Sequence, residues 1–327
     1  MMTSLTQTFA VSSGVNYEYI YHAPTGNETT TFLFLHGFPS SLHSWRHQIN
    51  HFNSLGYGCL APNLLGYGKT YSPSNITEYR TKQMVLHLVA LLSHLMISRP
   101  VIVVGHDFGT VPASRFALYE PKRVQALILL SIGYSPPGSQ DSGRAADATK
   151  EILGYDAFGY GQFFGLDPDA ANIIEKNVNS FLDIAFPPTD DALTLWRSNF
   201  SPTGKLKEWL LEGRRLPRRA SYLSDTDYNV YLGYILEGMR PKLNWYTARL
   251  NNINEEDERY LNSNLQMPCL FIGGLRDAVG VPALFASQKQ YMTQLTVLEM
   301  NATHWIMEEM PQEVNDSIEK WVMTIFK

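Results

Sequence analysis

Short apolar runs, each long enough for one buried strand, recur along this chain and alternate with amphipathic stretches. TFLFLHG (31–37), GCLAP (58–62), PVIVVG (100–105), VQALILLSI (124–132), MPCLFIGG (267–274) and LTVLEM (295–300) are dominated by apolar residues. A strand with one face in water alternates polar and apolar residues, so near-continuous runs read as strands covered on both faces. Between the first four lie segments of helical spacing, 41–55, 78–96 and 109–119. Segment 311–326 follows the last run and opens with Pro311 and Glu313, a helix start. This alternation predicts an α/β fold: a mostly parallel, doubly wound sheet with right-handed crossovers and helices on both faces.

The alternation stops near Tyr134 and resumes at Met267. Residues 135–266 carry Pro/Gly breaks at 136–138, polar segments and many tyrosines and tryptophans, but no clear strand series. An α/β core of residues 1–134 and 267–327, interrupted by a mostly helical cap at 135–266, accounts for this pattern. The chain has 327 residues, which suits one core with an insertion.

One junction is chemically unusual. The run at 100–105 passes into Gly105-His106-Asp107-Phe108-Gly109 and then a helical segment. Small residues at 105 and 109 suit a sharp strand-to-helix turn that lifts residue 107 out at the carboxyl ends of the strands. Many hydrolases place a nucleophilic serine at such an elbow. Here the residue is aspartate. Asp107 could simply cap the following helix, but the paired glycines behind a strand favour a nucleophile. A carboxylate is ionised at neutral pH, its reference pKa being about 3.9. It attacks amides and esters poorly, since the mixed anhydride is high in energy. It suits displacement at a saturated carbon, which leaves an alkyl ester on the enzyme. Water must then hydrolyse that ester, so the chain needs a base, a group orienting the base, and an oxyanion hole.

His304, in NATHWIMEEMP after the last strand, is the only one of nine histidines beyond residue 106, and becomes the candidate base. Hydrolases with such an elbow order their triad nucleophile, acid, histidine. Asp277, in the loop behind MPCLFIGG, is the candidate acid that fixes the tautomer of His304. The segment after Ile132 offers no carboxylate for that position. The backbone N–H groups of Phe108 and of Phe38, in the His36-Gly37-Phe38-Pro39 loop, are the candidate oxyanion hole.

Composition sets outer bounds. The apolar fraction is 44% and the charged fraction 17%, typical of a globular protein. Net charge is −5 with no basic run, which disfavours a nucleic-acid partner. Cys59 and Cys269 fall in different strands and read as reduced, packed thiols. The first residues, MMTSLTQTFAVSSG, show neither a cationic start nor an apolar signal core. No apolar run is long enough to span a bilayer. The expectation is a cytoplasmic protein with no membrane span.

HGFP, GHDFG, GGLRDAV and THWIMEEMPQEVN together resemble the soluble-type epoxide hydrolases of the α/β-hydrolase fold. FGYGQFF (158–164) and GMRPKLNWYTAR (238–249) look like two family segments near the substrate tyrosines, the second most similar to fungal members. The resemblance covers most of the chain. It implies nucleophile Asp107, acid Asp277, base His304, and two cap tyrosines whose phenols protonate the epoxide oxygen. The first maps to Tyr160. Spacing back from LNWY, with a one-residue deletion, puts the second at Tyr231, with Tyr228 and Tyr234 as alternatives. APNLLGYG departs from the family pattern, because Asn63 and Leu65 replace an aspartate and an arginine; the expectation is a lost supporting ion pair.

The expected substrate is a lipophilic epoxide, possible natural products included, with water as co-substrate and no cofactor or metal. Phe158, Trp245 and Trp305 are the candidate substrate-binding residues. Haloalkane or haloacid dehalogenases share the fold and the aspartate. They hold halide or carboxylate with a tryptophan or arginine after the nucleophile, where this chain has Phe108. A catalytically silent binding protein is the alternative from another class. Oligomeric state is not legible in the sequence.

Overall fold

A computed structural model describes residues 6–139 and 142–326, the side chains of Ser142 and Arg144 excepted. Residues 1–5, 140, 141 and 327, which fall in the segments read above as the N-terminal start, cap and C-terminal end, lie outside the described residues.

Eight strands form one sheet, β1 (Gln7–Ser12), β2 (Val15–His22), β3 (Thr31–Leu35), β4 (Gly58–Pro62), β5 (Val101–His106), β6 (Val124–Leu130), β7 (Cys269–Gly274) and β8 (Leu295–Met300). Their spatial order is β1-β2-β4-β3-β5-β6-β7-β8. From β4 to β8 every pairing is parallel, whereas β1/β2 and β2/β4 are antiparallel. The six apolar runs correspond to β3–β8. The hairpin β1–β2 is absent from the sequence reading because its residues mix exposed and buried positions, as an edge of the sheet allows.

Side chains alternate between the two faces. Phe32, Phe34, Ile102 and Val104 join one buried cluster with Trp45 and with aromatics of the segment between β6 and β7, such as Phe164 and Tyr246. Leu33, Leu35, Val103 and Leu127 join a second cluster with the helix Thr81–His94. A period of two on a sheet covered by helices requires this division. The register pairs Leu35 with Gly105, His106 with Leu130, and Gly274 with Met300. The loops after β3, β5, β7 and β8 therefore emerge along one edge.

Between β6 and β7 the described residues form helices and no strand apart from the one-residue bridge of Leu265 with Met292. The helix Asp225–Leu236 begins with a capping box: Ser224 Oγ accepts from the Asp227 N–H (3.1 Å), and Asp227 accepts from the Ser224 N–H (3.2 Å). The helix Thr189–Leu195 runs into a π-helical turn, Trp196–Phe200. Among the described residues no helix is long and apolar enough to cross a membrane.

Candidate active site

Asp107 sits where β5 ends and the helix Thr110–Tyr119 begins, with φ +52°. That left-handed conformation is costly for a side-chain residue and aims the carboxylate out of the sheet edge. A Cβ on Gly105 would lie 2.7 Å from the Gly109 carbonyl oxygen and 2.8 Å from Thr110 Cα, so the strand and helix meet only over glycine. Gly37 is needed on the facing loop, where a Cβ would come within 2.5 Å of Asp107 Cβ. The next peptide, Phe38–Pro39, is cis. The Phe38 N–H donates to Asp107 Oδ1 at 2.9 Å.

His304 Nε2 lies 3.3 Å from Asp107 Oδ2, and its Nδ1 lies 2.8 Å from Asp277 Oδ2. Asp277 is fully buried, and its other oxygen accepts the Val279 N–H at 2.8 Å. The loops after β7 and β8 thus bring Asp277 and His304 together across 27 residues of sequence. Burial works against a cationic imidazole. The Asp277 charge, with the hydrogen bonds to Asp107 and Asp277, outweighs it and holds His304 up to about 10. Burial likewise opposes the Asp107 carboxylate, but His304 and the Phe38 N–H bring it below its ordinary value. The resting pair is an ionised aspartate beside an imidazolium.

Tyr160 opens the helix Tyr160–Leu166 and lies in the wall of the cavity that holds Asp107. The second sequence-derived tyrosine requires correction. Tyr231 is fully buried and donates to Glu308 Oε1 at 2.5 Å, away from the cavity. Neither alternative reaches the cavity: Tyr228 donates to Asn179 at 2.7 Å, and Tyr234 accepts from Asn63 at 3.1 Å. Tyr246 is a cavity-lining tyrosine that spacing along the sequence passed over. It lines the same cavity as Tyr160, its ring 6.0 Å from the Tyr160 ring. The quoted LNWY segment already contained this tyrosine. Counting back from that segment moved the choice onto the preceding helix, whose tyrosines point into packing and polar contacts. Burial, then neighbouring charges or phenols including Asp107, raises both phenols well above the ordinary tyrosine value, so both stay protonated.

The cavity has a volume of about 310 Å³ and includes Phe108, Phe158 and Trp245 in its wall. A smaller hollow beside it is bounded by Phe38, Trp305, Trp196, Phe200 and His304. Trp196 and Phe200, both on the π-helical turn, were not singled out from sequence. Neither carries a chemical motif, and π-helical turns gather at functional sites for reasons of packing that composition does not show. The replacement at Asn63 is accommodated without an ion pair. Asn63 donates to Glu18 (2.8 Å) and accepts the Leu42 N–H (3.0 Å), so one amide serves both sides.

Residues 30–311 match the family described as alpha/beta hydrolase fold. Epoxide hydrolase 3 of Siraitia grosvenorii is 30% identical over 310 residues, covering 89% of this chain and 90% of the relative. Epoxide hydrolase srdG of Neurospora crassa is 27% identical, covering 93% and 91%. The solved epoxide hydrolase from an endophytic Streptomyces superposes with a TM-score of 0.83 at 28% identity, covering 99% of this chain and 97% of that one. With this likeness extending over most of the chain, the chain belongs to the α/β-hydrolase family, on its epoxide-hydrolase branch.

Proposed function

We propose that this enzyme hydrolyses lipophilic epoxides to vicinal diols through an ester on Asp107. The reading is supported by His304 Nε2 lying 3.3 Å from Asp107 Oδ2 and by Tyr160 and Tyr246, both kept protonated by burial, sharing one cavity with Asp107. Asp107 attacks a ring carbon. The carbon–oxygen bond of the oxirane breaks, and a phenol proton passes to the leaving oxygen. The ester is neutral, so, with Asp277 remaining, the imidazolium loses one of the two carboxylates that favoured its charge. Its proton offsets the one the phenol gave up, leaving His304 neutral and the phenol restored. His304 then deprotonates a water that attacks the ester carbonyl. The Phe38 and Phe108 N–H groups stabilise the oxyanion. Collapse releases the diol and regenerates the aspartate–imidazolium pair.

Within this reading the core, residues 1–134 and 267–327, supplies nucleophile, acid and base, and the cap, 135–266, supplies the phenols. Phe158, Trp245 and Trp305 provide apolar wall for the substrate. The two cysteines are buried and unbridged, which fits a reducing compartment and a cytoplasmic protein. A dehalogenase would need a donor for halide. Phe108 has none, and the indoles nearby donate to backbone carbonyls: Trp196 to Ile184, Trp245 to Leu65 and Trp305 to Ala185, at 2.6, 2.9 and 2.7 Å.

The test is His304→Gln incubated with styrene oxide. It should consume about one equivalent per active site and stop, because attack needs no base but hydrolysis does. Intact mass should rise by one substrate, with the adduct on the Asp107 peptide. Normal turnover, or no reaction by a folded variant, overturns the proposal.

A further inference from the structure

Asp277 is not the only group that holds the base. The His304 ring has two indole neighbours, with centroids 5.1 Å away at Trp196 and 5.1 Å away at Trp305, the next residue in the chain. Both indole N–H groups end on the helix Val178–Ala185, on the Ile184 and Ala185 carbonyls. The last carbonyls of a helix lack partners within it, so this helix end is a ready pair of acceptors. The chain continues into Phe186, which stacks on Trp305 (4.4 Å) and on Tyr231 (4.6 Å). Tyr231 lies on another helix, Asp225–Leu236, and donates to Glu308. Glu308 stands four residues after His304, with a fully buried side chain, and its second oxygen accepts from Arg46 at 2.8 Å. A ring stack and a hydrogen bond therefore both connect Tyr231 to the loop that carries the base.

We propose that Tyr231 is a positioning residue for His304, reaching it through Glu308 and through the Phe186–Trp305 stack. The proposal rests on the two-step reading above. Ring opening uses Asp107 and the phenols and needs no alignment of the imidazole. Ester hydrolysis needs His304 Nε2 aimed at a water and at the ester carbon. Loosening the Tyr231 contact therefore slows the second step and spares the first. Helices of the inserted segment thus contribute to setting the base as well as to protonating the oxirane.

Tyr231→Phe keeps the ring and its stacking and removes one donor from a buried carboxylate. Single turnovers of styrene oxide with enzyme in excess, quenched and followed by intact mass, give adduct formation and decay separately. Formation should be unchanged. Decay should slow about tenfold, short of the roughly 10²-fold that a 1 Å misplacement of a reacting group costs, and the adduct should dominate at steady state. Slowed formation with normal decay would make Tyr231 a proton donor to the oxirane and overturn the proposal. Both rates unchanged, or both slowed equally alongside a lowered melting temperature, would also overturn it. Should Tyr231→Phe fail to fold, Glu308→Gln is read by the same two rates, with the same selective slowing expected and the same outcomes overturning the proposal. His304→Gln is run in parallel. If it traps no adduct, the two-step reading itself fails; if it traps one while Tyr231→Phe behaves as wild type, only the Tyr231 assignment fails.

Discussion

Esterifying Asp107 removes a negative charge 3.3 Å from His304 Nε2, and Asp107→Asn produces the same loss without substrate. His304 is held up to about 10 in the resting enzyme, against burial, by Asp277 and Asp107 together. His106, the other imidazole beside it, is lowered to about 4, by burial first and then by the His304 charge, and stays neutral. An opposite charge within about 4–6 Å is worth roughly one to three pKa units. Contact at 3.3 Å in a buried site belongs near the upper end. The variant should therefore lower the His304 titration by about two to three units, roughly 3–4 kcal/mol of imidazolium stabilisation at about 1.36 kcal/mol per unit. Asp277 remains and keeps the imidazole oriented. The drop brings the base towards neutrality in the state that stands for the ester, where it must accept a proton from water. Imidazole ¹⁵N shifts, with His304 assigned by its absence in His304→Gln, measure both titrations. The folded value in wild type is raised, so this group's stabilisation is complete below its ordinary value of 6.5 and is lost as pH rises through about 10. Wild-type unfolding free energy should decline across that window, and the Asp107→Asn variant should show a narrower decline. A His304 titration that fails to move, or moves upward, in Asp107→Asn would refute the view that Asp107 sets the proton on the base.

Three further outcomes follow from the geometry. Tyr160→Phe and Tyr246→Phe should each slow adduct formation by about 10- to 10²-fold, the range for a lost acid or hydrogen-bond donor, while Tyr228→Phe and Tyr234→Phe leave it unchanged; rapid-quench measurement on all four decides. Arg115 holds buried Glu258 through two contacts (2.7 and 3.2 Å) and reaches the Ser135 carbonyl (2.8 Å). Arg115→Met should thus cost about 3–5 kcal/mol in urea unfolding by stranding a buried carboxylate, much of it recovered on adding Glu258→Leu. Gly37→Ala pushes a Cβ onto Asp107 and displaces the Phe38 N–H, so the folded variant should lose about 10²- to 10³-fold in turnover.

Where a property depends on residues close along the chain, the sequence sufficed. Strands β3 to β7 are visible as apolar runs because both faces of each are covered, which leaves little room for polar residues. Strand β8, at the edge of the sheet, is partly exposed and shows as a run with Thr296 and Glu299 within it. The elbow is visible because strand, turn and helix meet within five residues, and the close approach at Gly105 excludes a Cβ. Asp277 and His304 could be nominated because each follows a strand that ends at the same edge of the sheet. The choice among tyrosines lay outside the reach of spacing. Tyr231 and Tyr246 both sit on helices with buried aromatics, but only the helix Arg240–Leu250 contributes to the cavity wall. Whether a given tyrosine meets solvent, a carboxylate or the reacting centre depends on how those helices pack over the sheet. That packing also brought the Trp196 ring against the His304 ring and carried Tyr231 to Glu308. These contacts join residues separated by more than a hundred positions or lying on different helices. Their direction is set by helix phase and crossing angle, which only the assembled tertiary structure determines.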